Sequence, residues 1–176
     1  ADIENAGNVL PLWGENGMSG ERLARTSKEI AERQVSRLYV VGSNAVTAPI
    51  IENSYLRYLH IMSRHLQGYR FALGNRPSAC DFAAFGQLTQ LTQVDPTPID
   101  IARQEGPRVV AWTGILEDLS GLEPKAEDWI SRDAVPGTLR ELLAEMGRTY
   151  VPVMLANARA LRGGAKKVET EVEGKP

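Results

Sequence analysis

Cysteine is almost missing from this chain. Cys80 stands alone among 176 residues, so no intrachain disulfide can form, and a lone thiol fits a reducing, cytoplasmic setting. Histidine is nearly as scarce. His60 and His65 are the only two, and their spacing does not place them on one helix face as an i, i+4 metal pair would be. They read as surface or supporting groups, and no metal site is expected. Charge of one sign is also absent: the net charge is −2, with no basic run, which removes any overall pull towards DNA, RNA or anionic lipid. No apolar stretch approaches the ~20 residues that span a bilayer, so no membrane partner is expected. The N-terminus shows no charged-then-apolar leader pattern. It opens Ala1-Asp2 without a methionine, and a cut from a longer protein is the expectation. The Gly-containing stretch Gly14 to Gly20 has no strand before it and no G-x-x-x-x-G-K-[ST] pattern, which excludes a phosphate loop.

What is present is helical periodicity. Residues 1–20 read as an irregular lead-in, in which Leu10, Leu12 and Trp13 either dock onto the body or belong to a linker. From Glu21 to Val41, Leu23, Ile30, Ala31, Val35, Leu38 and Val41 fall at helical spacings, with Gly42 as the stop. A second long helix starts near Pro49, carries Ile51, Tyr55, Tyr58, Leu59, Met62 and Leu66 on one face and closes at Gly68. Together these two read as a long antiparallel pair.

After a loop from Tyr69 to Pro77, the segment Ala79 to Leu91 reads ACDFAAFGQLTQL. Its first two turns are apolar nearly all round, which predicts a helix buried on every side at the centre of the domain. Gly86 inside it costs about 1 kcal/mol against alanine, and a close helix–helix approach would account for it. A short helix follows at Thr97-Pro98. Another begins at Pro107 with Val109, Trp112, Leu116 and Leu119, and stops at Gly121. A less regular link from Glu123 to Gly137 holds Trp129. The last helix is expected to start at Thr138 with a T-x-x-E capping box to Glu141, to kink at Pro152, and to end at Gly163-Gly164. Residues 165–176 are a charged tail expected to be disordered. No segment alternates as a strand does; Leu38 to Val41 comes nearest and belongs with the helical pattern before it. There is no internal repeat. The fold class is all-α, with one helical domain over residues 21–164.

Within FALGNRPSACDFAAF, residues 71–85, Ser78 and Asp81 form an S-x-x-D box. The serine hydroxyl can accept from the Asp81 N–H, and the Asp81 carboxylate can reach back to the Ser78 N–H and complement the helix dipole. Pro77 and Phe82 occupy the staple positions. An apolar helix has no water at its first turn, so this local pairing would satisfy otherwise costly donors.

The Gly-x-x-Pro lead-in, the box, the apolar helix and the two long helices before it resemble the C-terminal domain of the glutathione S-transferase family. The downstream GQLTQL, DPTP and PRVVAW segments are similar to bacterial members, and the likeness runs from about Glu21 to Leu119. It implies a glutathione S-transferase C-terminal-like helical bundle with a buried central helix. The family's thioredoxin-like domain, which supplies the glutathione site and the Ser, Tyr or Cys that activates the thiol, has no counterpart here. By the resemblance, this chain would contribute the hydrophobic wall of the electrophile site and contacts of a homodimer. Glutathione would be cosubstrate of the full-length protein and would not be bound by this chain alone. Its partners would be the missing thioredoxin-like domain, a second copy and a hydrophobic small-molecule electrophile. Domains of this kind also serve as non-catalytic protein-interaction modules, and a free-standing helical ligand-binding domain is a third option.

No residue is assigned a catalytic role. Cys80, in an apolar run with no histidine beside it in sequence, is expected to be an inert buried thiol. Tyr39, Tyr55, Arg57 and Tyr58 concentrate polar-tipped groups on the first two long helices. They read either as core packing with the tips reaching water or as contacts to substrate or to the missing domain. An exposed apolar patch around Tyr39 and Tyr55 would follow from the second reading. Ser78 and Asp81 are structural in every case.

Overall fold

The computed structural model describes residues 2–174; Ala1, Lys175 and Pro176, the ends of the expected lead-in and tail, lie outside the described residues. Among these, seven α-helices occur and no sheet: α1 Asp2–Gly14, α2 Gly20–Val35, α3 Ala48–His65, α4 Ala79–Thr89, α5 Pro96–Glu105, α6 Pro107–Glu117 and α7 Gly137–Arg162. Isolated bridges pair Phe71 with Gly74 and Gly74 with Trp129. The chain divides into two compact units, Ala1–Ser43 with Ala79–Leu122, and Asn44–Ser78 with Glu123–Pro176.

In the first unit, α1 replaces the irregular lead-in. Its Gly and Asn content favours a coil locally, but α1 packs along α2, and tertiary packing outweighs weak propensity. Gly7 makes the approach possible: a Cβ there would meet the Ser27 Cβ at 3.5 Å, and the Ser27 hydroxyl donates to the Gly7 carbonyl at 2.5 Å. Helix α2 ends at Val35, a turn and a half before the expected stop. Beyond it, Val35, Leu38, Tyr39, Val40 and Val41 are all exposed, so no packing surface rewards continued helix in a β-branched run. A 3₁₀ turn over Leu38–Val41 follows, closed by Gly42 at φ 70, a left-handed position suited to glycine.

The core of this unit comes from α4, α5 and α6: Leu88, Ala102, Val109, Trp112 and Leu116 are buried. Two buried threonines bond backward within their own turns, Thr92 to the Leu88 carbonyl and Thr113 to that of Val109, each at 2.9 Å. Pro96 and Pro107 occupy the first helical turns of α5 and α6, where their missing N–H costs nothing.

Helix α4 is not buried all round, which corrects the expectation of a buried central helix. Asp81 and Leu88 are buried, with Ala84 and Phe85 partly covered, whereas Ala79, Cys80, Phe82, Ala83, Gly86 and Gln87 are exposed. At 100° per residue these two sets fall on opposite faces. Within its unit α4 meets α6 and the single π turn Gln90–Val94, and these cover one side only. Gly86 has open space where a Cβ would lie, so no neighbouring helix explains it.

In the second unit α3 packs on α7. Leu59, Ile61, Met62, His65 and Phe71 are among its buried residues. The tail from 165 runs back over the unit rather than being structureless throughout, with Glu173 reaching Arg57 at 3.7 Å and Arg148 at 3.8 Å. Helix α2 and helix α3, expected as an antiparallel pair, fall in different units, and each takes its helix partner within its own.

Candidate functional site

The loop before α4 is built around Gly74. Its φ of 138 and the 2.0 Å that would separate a Cβ from the Asp128 carbonyl oxygen leave room for glycine only. This lets the strand-like pieces on either side meet. Phe71 N–H donates to the Gly74 carbonyl at 2.8 Å, Asn75 N–H to Asp128 at 2.8 Å, and Ile130 N–H to Leu73 at 2.9 Å. The loop therefore anchors the 123–137 link, and Arg76 lies over the Trp129 ring with its guanidinium 4.6 Å from the centroid. Beside them is an open cavity of about 240 Å³ lined by Tyr69, Gly74, Asn75, Glu127, Trp129 and Ser131. It brings polar groups around one half-exposed indole but no nucleophile beside a base.

The loop leads to the start of α4. Ser78, the residue before the helix, is 8% exposed, and Asp81, in its first turn, is fully buried. Neither is without a partner. A carboxylate placed there is stabilised by the helix's own dipole and first N–H groups. Cys80 between them is exposed, which corrects the buried thiol: it projects from the open face of α4, about 100° round the helix from Asp81.

Tyr39 belongs to the first unit, Tyr55, Arg57 and Tyr58 to the second. Tyr39 is 78% exposed. Tyr55 is half-buried, and that burial raises its phenol pKa above the ordinary 10.0. Arg57 is an ion-pair residue of the α3–α7 seam. Its Nε donates to Glu145 Oε1 at 2.7 Å and its Nη2 lies 2.6 Å from the same oxygen. The bond to Glu145 outweighs the desolvation, and the Glu145 and Glu173 charges add to it, so the guanidinium pKa is raised further.

The same seam decides between the two readings of the histidines for His65 and corrects one other expectation. His65 is 1% exposed, a supporting group and not a surface one. Its Nε2 lies 3.2 Å from the Phe71 carbonyl and its Nδ1 2.8 Å from Thr138 Oγ1. A carbonyl can only accept, so Nε2 carries a proton; in the neutral ring Nδ1 then accepts from the threonine hydroxyl. The ring also stacks on Tyr69 at 4.9 Å. Thr138 and Glu141 do not cap α7. The helix starts at Gly137 after Pro136, with no side-chain cap bond; Thr138 is taken by His65, and Glu141 pairs with Arg64 of α3. Arg57–Glu145, Arg64–Glu141 and His65–Thr138 thus form an antiparallel polar ladder. The signal in the sequence was the complementary pattern of Arg57, Arg64 and His65 against Thr138, Glu141 and Glu145, which can be matched only once α3 and α7 are known to pair.

Among the described residues no group of three or more His, Cys, Asp or Glu side chains is placed to hold a metal ion, and no helix is long and apolar enough to cross a membrane. The class defined by these observations is an all-helical protein whose exposed surface carries apolar residues. The sequence matches no model of a known protein family, and neither a curated protein nor a solved structure is found to match it.

Proposed function

We propose that this chain is the C-terminal helical part of a glutathione S-transferase-like protein, giving an apolar wall and docking surface to a thioredoxin-like domain that holds the glutathione. The observation that carries the proposal is the burial of Ser78 and Asp81 at the first turn of α4, behind a loop that only Gly74 can make. These are two of the features the sequence resemblance rests on; the buried central helix and the antiparallel pair before it are corrected above. Exposed apolar residues support the proposal: Val35, Leu38, Tyr39, Val40 and Val41 at the end of α2 and in the turn after it, and Phe82 on α4. Apolar surface of this kind is costly to leave in water and marks a contact surface. The chain contributes apolar surface, and the thiolate-stabilising donor comes from the other domain, because conjugation requires a positioned group that lowers the thiol pKa.

The same exposed surface favours a second role, a non-catalytic interaction module of the same fold. One experiment separates the two. The protein extended upstream of Ala1 is assayed for conjugation of glutathione to a reactive aryl halide, beside calorimetric titration of the present chain with glutathione. The extended protein should turn over, and the present chain should neither turn over nor bind at micromolar concentrations. An extended protein that contains a thioredoxin-like domain and is inactive would favour the interaction module. Micromolar binding or turnover by the present chain would refute the proposal.

A further inference from the structure

Helix α7 carries a second apolar face that its own unit does not cover. Leu143, Met146, Tyr150, Met154 and Leu161 are 56, 51, 56, 39 and 68% exposed. With Ala158 they follow one another at steps of three and four, a continuous stripe about 27 Å long at 1.5 Å per residue. Val151 and Leu155, 40 and 50% exposed, widen it. The apolar surface these side chains show to water is on the order of 600 Å², close to the ~800 Å² that each partner gives to a stable interface.

The charges around the stripe choose the occupant. The acidic residues of α7, Glu141 and Glu145, are paired with Arg64 and Arg57 of α3. Besides Glu141 and Arg148, which are held in ion pairs with Arg64 and with Glu145 and Glu173, the exposed charges of α7 are arginines: Arg140, Arg159 and Arg162. A second copy of α7 laid against this one would set arginine against arginine. An acidic segment fits, and the chain provides an example, since Glu173 of the tail lies 3.8 Å from Arg148.

Gly147 separates a helix from a lipid surface as the occupant. It sits exposed in the interior of α7, beside Met146 and Tyr150, with open space where a Cβ would lie. Nothing in the chain requires glycine there, and it costs about 1 kcal/mol against alanine in a helix. A missing side chain on an apolar stripe lets another backbone approach closely and does nothing for a bilayer.

We propose that this stripe is the docking face for an acidic amphipathic helix of a partner protein. It lies in the second unit, whereas Tyr39 belongs to the first, and it does not depend on the function proposed above. The test uses the full chain and a labelled synthetic helix with leucine at a and d and glutamate at e and g, followed by fluorescence anisotropy. The expected result is micromolar binding that weakens about tenfold or more between about 50 and 500 mM salt. The lysine counterpart of the peptide should bind at least about tenfold more weakly. Tyr150→Glu should abolish binding. Gly147→Leu should lower peptide affinity at least about tenfold while circular dichroism shows an equal or higher thermal midpoint, which separates a blocked face from a misfolded protein. Equal binding of both peptides, undiminished binding by Gly147→Leu, retention on phosphatidylserine vesicles without peptide binding, or a dimer dissolved by Tyr150→Glu would each overturn the proposal.

Discussion

Replacing His65 with leucine tests the α3–α7 seam most directly. The imidazole is 1% exposed and joins the end of α3 to the loop carbonyl of Phe71 and to Thr138 at the start of α7. Leucine keeps most of the volume and removes both bonds and the stack on Tyr69. The Phe71 carbonyl retains the Gly74 N–H at 3.2 Å, so it is not orphaned. The loss is therefore two hydrogen bonds at about 1 kcal/mol each and a ring contact at about 0.5 kcal/mol. A total of about 2–3 kcal/mol corresponds to a drop of roughly 5–10 °C in midpoint for a chain of this size. Urea unfolding followed by far-ultraviolet circular dichroism at neutral pH reads it. Thr138→Val should cost about 1 kcal/mol, and Thr138→Ser, which keeps the hydroxyl, less than about 0.5. In the double variant the Thr138→Val cost should largely vanish, because its partner is already gone. A His65→Leu protein within about 0.5 kcal/mol of the parent, or a Thr138→Val cost undiminished without His65, would refute the assignment.

Asp81→Ala should lower stability by about 1–2 kcal/mol, since it removes a fully buried carboxylate from the first turn of α4; an unchanged urea midpoint would remove the main support for the family resemblance. Gly74→Ala should cost roughly 3 kcal/mol or more, because a Cβ would lie 2.0 Å from the Asp128 carbonyl oxygen at a φ of 138, and thermal melts should show it against Gly86→Ala, which meets nothing and should be neutral or stabilising. Tyr55 has a folded pKa raised by burial above the ordinary 10.0. Its contribution to stability is thus complete below that value and is lost as pH rises through the folded pKa. Tyr55→Phe should make stability fall less steeply above pH 10 than in the parent, as followed by urea midpoints; identical slopes would show that Tyr55 is not buried as described.

Local chemistry was legible in the sequence where it could be satisfied locally. The apolar spacing of Leu59, Met62, Val109, Trp112 and Leu116 and the proline at the start of α6 follow from helix geometry and backbone sterics, which operate within a few residues. The all-helical class followed from them. Tertiary structure decided what those helices pack against. Periodicity records that a face is apolar and not which partner covers it, so the apolar α4 could be read as buried while Cys80 and Phe82 face water. A Thr-x-x-Glu pattern offers a cap, but His65 and Arg64 compete for the same two side chains once α3 lies beside α7. Asn and Gly in residues 2–14 weaken a helix in isolation, and the close passage of Ser27 past Gly7 makes it form. These outcomes depend on residues distant in sequence meeting in space, and a single chain read in order carries no direct record of such meetings.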